Sequence, residues 1–397
     1  MAQAQAMTTQ APIPLGRFQL FKLLKKGGMA RVFLAVDPAA PDEVLAIKTL
    51  LPELAGKRSY REMFQSEAEV GLHLRHPGIA RTVEHGEDRK TPWIAMEYVF
   101  GLDLSSVLRR LRQKGRVMPP GLAVATALDV ARALAYAHAL TDDAGQPLDI
   151  VNRDVSPGNI MVAFDGTVKL IDFGIAQTTI DVKSQIGAIK GKISYMAPEQ
   201  VRGLPVDHRV DVFSLGTVLY EMLTGVQVFR DEGDFATMEK VRRAEAPPPS
   251  THTPAVDALL DGIVARALAR EASDRYPSAD AMAASLKTWL DRHGGEAERV
   301  AERQVFMATL FAGQQATMEA DIAAAMTGVM ADFEAEDSKG PARFISEAAL
   351  DDLLAAEGRP DEGPQPGDGR PRSVGLLLGV VAAVVAAALG AWLALRG

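Results

Sequence analysis

The sequence has no cysteine among its 397 residues. This absence excludes a disulfide framework, thiol catalysis and metal sites built on thiolates, and it fits a reducing compartment. An excess of positive charge is also missing, because the formal net charge is −8. Residues 1–14 have neither the basic segment nor the apolar core of a signal peptide and are typical of a disordered tail. We therefore expect no nucleic-acid partner and no cleaved leader.

Acidic residues are concentrated near the C-terminal end. Residues 331–369 contain eleven Asp or Glu and three Lys or Arg, so the rest of the chain is balanced in charge. Apolar helical spacing extends over 292–357, where Ser346 is suited to cap a short helix that ends before Gly358. Residues 358–373 are charged and rich in Gly and Pro, which predicts a flexible linker.

One apolar segment is long enough to cross a membrane. Residues 374–395 carry no charge over 22 positions and are flanked by Arg372 and Arg396. A helix of this length would measure about 33 Å, against about 30 Å for the hydrocarbon core of a bilayer. We expect a single transmembrane helix that anchors the protein in the cytoplasmic membrane, with the preceding residues in the cytoplasm. The alternative is a buried helix of a soluble domain.

Four side chains occur in local sequences that phosphoryl transfer requires. Lys48 ends the apolar run 44–48, Asp154 and Asn159 share one polar loop, and Asp172 opens Asp172-Phe173-Gly174. Magnesium prefers oxygen ligands, so Asn159 and Asp172 suit it, whereas Asp154 is placed to reach an acceptor hydroxyl. A buried Lys48 needs anionic partners, which ATP phosphates and a helix carboxylate would supply. Each residue alone would be interpreted as a surface charge, but the ordered set indicates an active site.

This order of motifs resembles the bacterial Hanks-type (eukaryotic-like) serine/threonine protein kinases. The resemblance covers residues 17–291 and includes Met196-Ala197-Pro198-Glu199. It implies an α+β bilobal fold over 15–291, with a β-rich lobe at 15–98, a helical lobe at 102–291 and ATP in the cleft. The function implied is transfer of the ATP γ-phosphate to Ser or Thr of protein substrates in membrane-anchored signalling, with ATP and Mg2+ required.

The resemblance also implies roles for individual residues. Asp154 would be the catalytic base, Asn159 and Asp172 would hold magnesium, and Lys48 would contact the phosphates and pair with Glu67. Glu67 is preferred to the neighbouring Glu62 and Glu69 because of its distance from His76-Pro77. The nucleotide-binding set would comprise Leu24, Gly27, Gly28, Val32, Ala46, Lys48, Met96, Glu97 and Val99.

The glycine-rich loop departs from the family pattern. Its three glycine positions are occupied by Lys25, Gly27 and Ala30. If Ala30 had to adopt a left-handed conformation, the cost would be about 1–2 kcal/mol. This would loosen the loop over the phosphates without abolishing binding.

The catalytic loop departs from the family at two further positions. Asn152 stands where the family has His, and Ser156 stands where Ser/Thr kinases have Lys. In the activation segment, Lys192 replaces the Thr that would bridge that Lys to Asp154. The hydroxyl and the ammonium have thus exchanged places, which predicts that Lys192 supplies the missing charge in catalysis. The alternative is that Lys192 points to solvent, as most lysines do.

The activation segment, residues 175–196, is expected to be phosphorylated. Arg153 precedes the base and could pair with a phosphate there. Self-association would then permit autophosphorylation in trans. The candidate acceptors are Thr178, Thr179, Ser184 and Ser194.

Other functions are compatible with parts of this pattern. A pseudokinase that acts as an ATP-binding scaffold would explain the altered glycine loop, Asn152 and Ser156. A metabolite phosphotransferase would share the base and the metal ligands, although the segment 175–199 favours a protein substrate. Tyrosine specificity is less favoured, but loss of the loop Lys at Ser156 removes one marker against it.

Overall fold

The computed structural model describes residues 12–142, 144–173 and 192–337, which belong to one structural unit. A β-rich lobe is followed by a helical lobe, so the predicted bilobal architecture is confirmed. Within the described residues, no helix is both long and apolar enough to cross a membrane. The disordered tail predicted for residues 1–14 is wrong at its end, because Ile13 and Pro14 belong to the first strand, Ile13–Leu15, which pairs with the next strand. Residues 1–11, the Ser346 helix, the linker at 358–373 and the span at 374–395 lie outside the described residues.

The small lobe is built on one antiparallel sheet. Its strand order is β1-β2-β3-β4-β6-β5, so most neighbours in the chain pair as hairpins. In the second strand the buried Phe18 and Leu20 are separated by a half-buried residue, whereas in the sixth strand Ile94, Ala95 and Met96 are buried in succession. The strands are β1 Ile13–Leu15, β2 Phe18–Lys26, β3 Ala30–Asp37, β4 Ala40–Leu50, β5 Thr82–Asp88 and β6 Thr91–Glu97.

Two helices follow β4, whereas the sequence predicted one. The additional helix is the single turn α1 (Pro52–Ala55), which begins with a proline, the residue best tolerated in the first turn. The long helix α2 (Arg58–His73) packs Phe64 and Ala68 into a cluster that includes Met96 from β6. This packing brings Glu67, the residue before Ala68, towards β4.

The large lobe contains a small sheet that the helical patterns did not predict. Strands β7 (Gly101–Asp103), β8 (Ile160–Ala163) and β9 (Val168–Leu170) are each too short to show a periodicity. Between β8 and β9 the chain reverses at Gly166, which has a positive φ of 87°. The helices of this lobe are α3 Leu104–Gln113, α4 Pro120–His138, α5 Pro198–Val201, α6 Arg209–Thr224, α7 Asp234–Arg243, α8 Ala258–Ala267 and α9 Ala279–Arg292.

The core of the large lobe is formed around α4 and α6. Both helices are buried on several sides, which explains why their sequences are apolar with little amphipathic character. Helix α6 ends at Gly225, whose φ of 72° is the left-handed conformation expected of a C-cap. The helical pattern over residues 206–224, followed directly by a glycine, predicts this C-cap from the sequence, and the structure confirms it.

Two helices extend beyond the predicted kinase domain, as the apolar pattern after residue 293 indicated. They are α10 (Arg299–Leu310) and α11 (Gln314–Asp337). Helix α10 docks on α4 and on the β8–β9 turn, where a Cβ on Gly166 would lie 2.2 Å from the carbonyl oxygen of Val300. The glycine is therefore needed for the close approach of α10 as well as for the turn.

Arg303 of α10 is the main polar contact in this interface. Its side chain is buried, and it donates to the carbonyl oxygen of Gly166 at 2.7 Å and to Oδ2 of Asp129 at 2.6 Å. A buried guanidinium requires such partners, because an unpaired charge in the interior is costly. These bonds fix α10 to the large lobe.

Helix α11 continues from there to the small lobe. Its half-buried residues recur at helical spacing and form one face, which comprises Gln315, Met318, Asp321, Ile322, Ala325 and Met326. Met318 packs against the core of the large lobe, whereas Asp321 lies 3.3 Å from Nζ of Lys22 in β2. The C-terminal extension therefore contacts both lobes.

We predict that the Arg303 contacts contribute measurably to the free energy of unfolding of the protein. Replacing Arg303 by Met should lower the free energy of unfolding by about 2 kcal/mol, because the charged hydrogen bonds are lost while Asp129 keeps some access to water. Urea unfolding of the full-length chain would measure this change. Arg292→Met, an exposed position at the end of α9, is the matched control and should stay within about 0.5 kcal/mol of the parent. Equal effects of the two substitutions would show that Arg303 does not fix the extension.

Candidate active site

Lys48 lies at the centre of the cleft between two carboxylates. Its Nζ atom is 2.5 Å from Oε1 of Glu67 on α2 and 3.1 Å from Oδ1 of Asp172, which follows β9. The neighbouring candidates are occupied elsewhere, since Glu62 pairs with Arg58 and Glu69 accepts from Gln65. The structure therefore brings Glu67, rather than Glu62 or Glu69, to Lys48.

The electrostatics of this triad follow from burial and charge. Burial alone would lower the pKa of Lys48, but Asp172 and Glu67 outweigh it and raise that pKa well above its usual value. Burial would raise the pKa of Asp172, but the cations Lys48, Lys25 and Lys192 hold it below its usual range. Lys48 is thus an ammonium and Asp172 a carboxylate at neutral pH.

The catalytic loop places Asp154 and Asn159 together. Nδ2 of Asn159 donates to Oδ2 of Asp154 at 2.8 Å and to its carbonyl oxygen at 3.0 Å. Because the amide nitrogen of Asn159 is used in this way, its side-chain oxygen remains as an acceptor. That orientation leaves an oxygen suited to a hard cation.

Asn152 connects the catalytic loop to Asp172, a role that the sequence did not indicate. This buried side chain donates from Nδ2 to the carbonyl oxygen of Asp172 at 2.9 Å and accepts from the backbone N–H of Asp154 at 3.1 Å. An amide carries both a donor and an acceptor, so one residue satisfies both neighbours. Asn152, at the position where the family has His, therefore links the backbone of Asp154 to that of Asp172.

Asp211 of α6 holds the same loop from below. Its carboxylate accepts from the backbone N–H groups of Asn152 and Arg153 at 2.8 and 2.7 Å. Nε2 of His138 lies 2.8 Å from the same carboxylate, a contact that the sequence did not predict. These bonds hold Arg153 at a φ of 63°, a strained conformation for a residue other than glycine.

Lys192 does not point away from the cleft. Its Nζ atom lies 2.5 Å from Oδ2 of Asp154, although the side chain is 42% exposed. Both Lys192 and Asn159 bind Oδ2, so the described contacts leave Oδ1 of Asp154 for another partner. Ser156 is buried two residues after Asp154.

The predicted nucleotide-binding residues lie on the small-lobe sheet and at its exit. Val32 pairs with Lys48 across β3 and β4, and Ala46 pairs with Met96 across β4 and β6. Ala46 and Met96 belong to one buried cluster, against which Val32 packs. Val99 is buried and clusters with Ala80 and Ala163, where the chain passes from the small lobe to the large lobe.

The side chain of Glu97 forms an ion pair and a hydrogen bond. Its carboxylate lies 2.6 Å from Nζ of Lys169 in β9 and accepts from the backbone N–H of Arg81 at 3.1 Å. Lys169 belongs to the large lobe, so this contact joins the two lobes at the point where the chain passes between them. The sequence contained no signal for it, because the partners are 72 residues apart.

The glycine-rich loop needs no strained alanine. Ala30 is not among the described residues with positive φ, so the expected cost of a left-handed conformation does not arise. Gly27 and Gly28 form the turn between β2 and β3, and the N–H of Gly27 donates to the carbonyl oxygen of Ala30 at 2.8 Å. Leu24, the remaining predicted member, is 40% exposed at the edge of the cleft.

The donor set suits magnesium held jointly by protein and nucleotide. Among the described residues, no group of three or more acidic or imidazole side chains could hold a metal alone. Asn159 and Asp172 provide an amide oxygen and a carboxylate, and Mg2+ commonly combines one or two such ligands with substrate phosphates. The residues present therefore fit the expected cofactor.

The activation segment is only partly described, since residues 174–191 are outside the described ranges. Three of the four candidate phosphoacceptors fall in that gap. The fourth, Ser194, is buried, so it is a poor acceptor in this conformation. Beyond the gap, Glu199 forms an ion pair with the buried Arg275, with two N–O distances of 2.6 and 2.8 Å. The resemblance to the kinase family implies this pair.

One groove of the described surface lies outside this site. It measures about 570 Å3, lies beside α10 and is lined by residues that include Val305, Phe306 and Leu310, together with Lys114 and Arg116. It shares no residue with the polar cluster around Asp154. The convergence of charged groups, rather than the presence of a groove, therefore identifies the cleft.

Comparisons with known proteins agree with this geometry. The profile described as protein kinase domain matches residues 18–286. Similar curated proteins include tyrosine-protein kinase MasK of Myxococcus xanthus, 40% identical over 283 residues, and serine/threonine-protein kinase PknB of Mycobacterium tuberculosis, 36% identical over 297 residues. The matches cover 70% and 73% of this chain but 44% and 45% of those proteins, so the chain spans less than half the length of these relatives.

A solved structure shares the fold. The kinase domain of Mycobacterium tuberculosis PknI is 30% identical, with a TM-score of 0.54 and a match that covers 71% of this chain and 99% of that chain. The family profile matches more than half of the 397 residues, and the chain therefore belongs to the protein kinase domain family.

Proposed function

We propose that the protein transfers the γ-phosphate of ATP to hydroxyl groups of protein substrates, with Ser and Thr as the acceptors. The observation that carries this proposal is the polar cluster of Lys48, Asp154, Asn159 and Asp172, in which every group needed for phosphoryl transfer occupies one cleft. Catalysis of this reaction depends mainly on positioning and charge neutralisation. The cluster supplies both.

The base in this reaction is Asp154. Its Oδ2 atom is held by Asn159 and Lys192, so Oδ1 is directed at the acceptor hydroxyl. The hydroxyl proton passes to Asp154 while the hydroxyl oxygen bonds to the γ-phosphorus. The bond to the β–γ bridging oxygen breaks, and ADP leaves.

Lys48 and the metal-binding residues orient the nucleotide. Lys48, held by Glu67, contributes a fixed ammonium for the phosphates. Asn159 and Asp172 would hold Mg2+, which would neutralise charge on the phosphates. Val32, Ala46 and Met96 provide the apolar contacts for adenine.

Tyrosine is the second candidate acceptor. The observation that favours it is the name of one relative, the tyrosine-protein kinase MasK, which is 40% identical. Ser156 also lacks the ammonium that the resemblance associates with Ser/Thr specificity. In this chain, however, Lys192 returns an ammonium to Asp154, as a Ser/Thr acceptor site requires. Phosphoamino-acid analysis of a mixed peptide library would separate the two specificities.

Asp154→Asn should nearly abolish transfer while leaving ATP binding intact. The amide cannot accept the hydroxyl proton, and general-base contributions are about 10²–10⁴-fold. The measurements are phosphate transfer from Mg-ATP to a protein acceptor and the Kd of Mg-ATP. Asp280→Asn, an exposed position in α9, is the matched control and should leave both unchanged. Undiminished transfer by the Asp154 variant would contradict the kinase assignment, and an inactive parent chain that binds ATP would favour a pseudokinase.

Lys192 should supply the charge that Ser156 cannot. An ammonium fixed near the γ-phosphate stabilises charge that develops in the transition state. We expect Lys192→Thr to lower turnover by about ten- to a hundredfold, with little change in ATP affinity. Lys240→Thr, on the exposed face of α7, is the control for loss of one positive charge.

The double variant tests whether the two positions act together. Adding Ser156→Lys to Lys192→Thr should restore much of the turnover, because an ammonium then returns to the loop. Lack of rescue would show that the positions are not coupled. A silent Lys192→Thr variant would make the contact with Asp154 a surface ion pair without catalytic effect.

We also propose that residues 374–395 anchor the protein in the cytoplasmic membrane, with the catalytic domain in the cytoplasm. The support is the uncharged run of 22 residues. Deleting residues 374–397 should move the protein to the soluble fraction with turnover unchanged. Deleting residues 358–369 instead should leave it with the membrane, since the apolar run remains. A full-length chain found in the soluble fraction of a cell lysate would contradict this anchor.

A further inference from the structure

Lys25 crosses the mouth of the cleft from the small lobe. It lies near the end of β2, where the register with β3 is interrupted between Leu23 and Lys25. Such a bulge re-aims the side chains that follow it. The side chain of Lys25 donates from Nζ to the carbonyl oxygen of Gly158 at 3.0 Å. A residue of the glycine-rich loop is thereby joined to the catalytic loop.

The position of Gly158 identifies which part of a nucleotide would lie near this ammonium. Gly158 directly precedes Asn159 and is four residues after Asp154, at the catalytic end of the cleft. The apolar adenine side, with Ala46 and Met96, belongs to a separate cluster. Lys25 therefore lies against the catalytic loop, apart from the apolar cluster on the adenine side of the cleft.

The ammonium of Lys25 has no anionic partner in its contact with Gly158. Among the described residues it forms no ion pair, and its hydrogen bond is to a neutral carbonyl. Lys22, on the same strand, is by contrast paired with Asp321. A charge-assisted bond to an anionic oxygen is about twice as strong as a neutral one, so a phosphate placed here would attract the ammonium away from Gly158.

We propose that Lys25 is a binding residue for the terminal phosphate of a nucleoside triphosphate. On binding, its Nζ atom exchanges the carbonyl oxygen of Gly158 for an oxygen of the γ-phosphate. This inference rests on the proposed function and assigns a further residue to that reaction. After transfer the contact is lost, so Lys25 favours the triphosphate over the diphosphate product.

The adjacent lysine offers a matched control. Lys26 is also exposed at the end of β2, but successive side chains of a strand point to opposite faces. Replacing Lys25 or Lys26 by Met removes the same charge from the same loop. A difference between the two variants therefore reports the contact rather than the net charge.

The test is equilibrium binding of two nucleotides to the full-length chain by titration calorimetry. The ligands are Mg-ADP and the Mg complex of a non-hydrolysable β,γ-imido analogue of ATP. We expect Lys25→Met to weaken binding of the analogue about tenfold and that of ADP less than about threefold, consistent with loss of one charged hydrogen bond. Lys25→Arg should retain most of the affinity for the analogue, and Lys26→Met should change neither ligand. An unchanged thermal unfolding midpoint would show that the variants are folded.

Three results would overturn the assignment. Unchanged affinity of Lys25→Met for the analogue would remove the contact, and equal weakening for both nucleotides would place Lys25 away from the γ-phosphate. Equal effects of Lys25→Met and Lys26→Met would reduce the effect to general charge. Failure of the proposed function looks different, because the parent chain would then bind neither nucleotide or would transfer no phosphate.

Discussion

The ammonium of Lys48 is the interaction on which the arrangement of the cleft depends. It joins β4 to α2 through Glu67 and to the segment after β9 through Asp172. Each of these carboxylates is largely buried, so neither would be stable as an anion without the shared cation. The orientation of α2, the position of the metal-binding segment and the closure of the two lobes are therefore coupled through one charged group.

A second set of buried polar contacts gives the catalytic loop its shape. Asp211 binds two successive backbone N–H groups, and Asn152 links the backbone of Asp154 to that of Asp172. These bonds hold Arg153 in a conformation that would otherwise be unfavourable. The loop is thus preorganised by groups below it, and the base does not have to be ordered at the moment of reaction.

The two lobes are joined on more than one side, and β2 takes part twice. Lys25, near the end of β2, contacts Gly158 of the catalytic loop. Lys22 of the same strand contacts Asp321 of α11. Helix α11 is itself held to the large lobe through α10, where Arg303 and Gly166 make a close-packed contact. The family profile ends at residue 286, yet Arg303, Met307 and Leu310 beyond it are buried against the large lobe. The extension is consequently part of the folded kinase unit.

The local sequence was sufficient to predict the fold class and to indicate the chemistry of the site. The order of Lys48, Asp154, Asn159 and Asp172 predicted a bilobal kinase, because each motif carries its chemistry within a few neighbouring residues. The sequence patterns at residues 18–21 and 32–36 indicate strands β2 and β3, those at 120–140 and 206–224 indicate the long helices α4 and α6, and Gly225 follows the second of these helices as a C-cap. The short strands β7 to β9 and the helix α1 were missed, since three or four residues show no period.

Contacts between distant parts of the chain were decided only by the tertiary structure. Lys25 and Gly158 are 133 residues apart, and Arg303 and Gly166 are 137 apart, so no local pattern connects them. The roles of Asn152 and His138 likewise depend on which buried backbone and carboxylate groups need partners after folding. A sequence determines which residue types are present. Burial determines which of their polar groups need a hydrogen-bond partner within the protein, and the fold determines which residue provides it. For this reason the motifs identified the reaction, and only the folded chain showed how its charges are held in place.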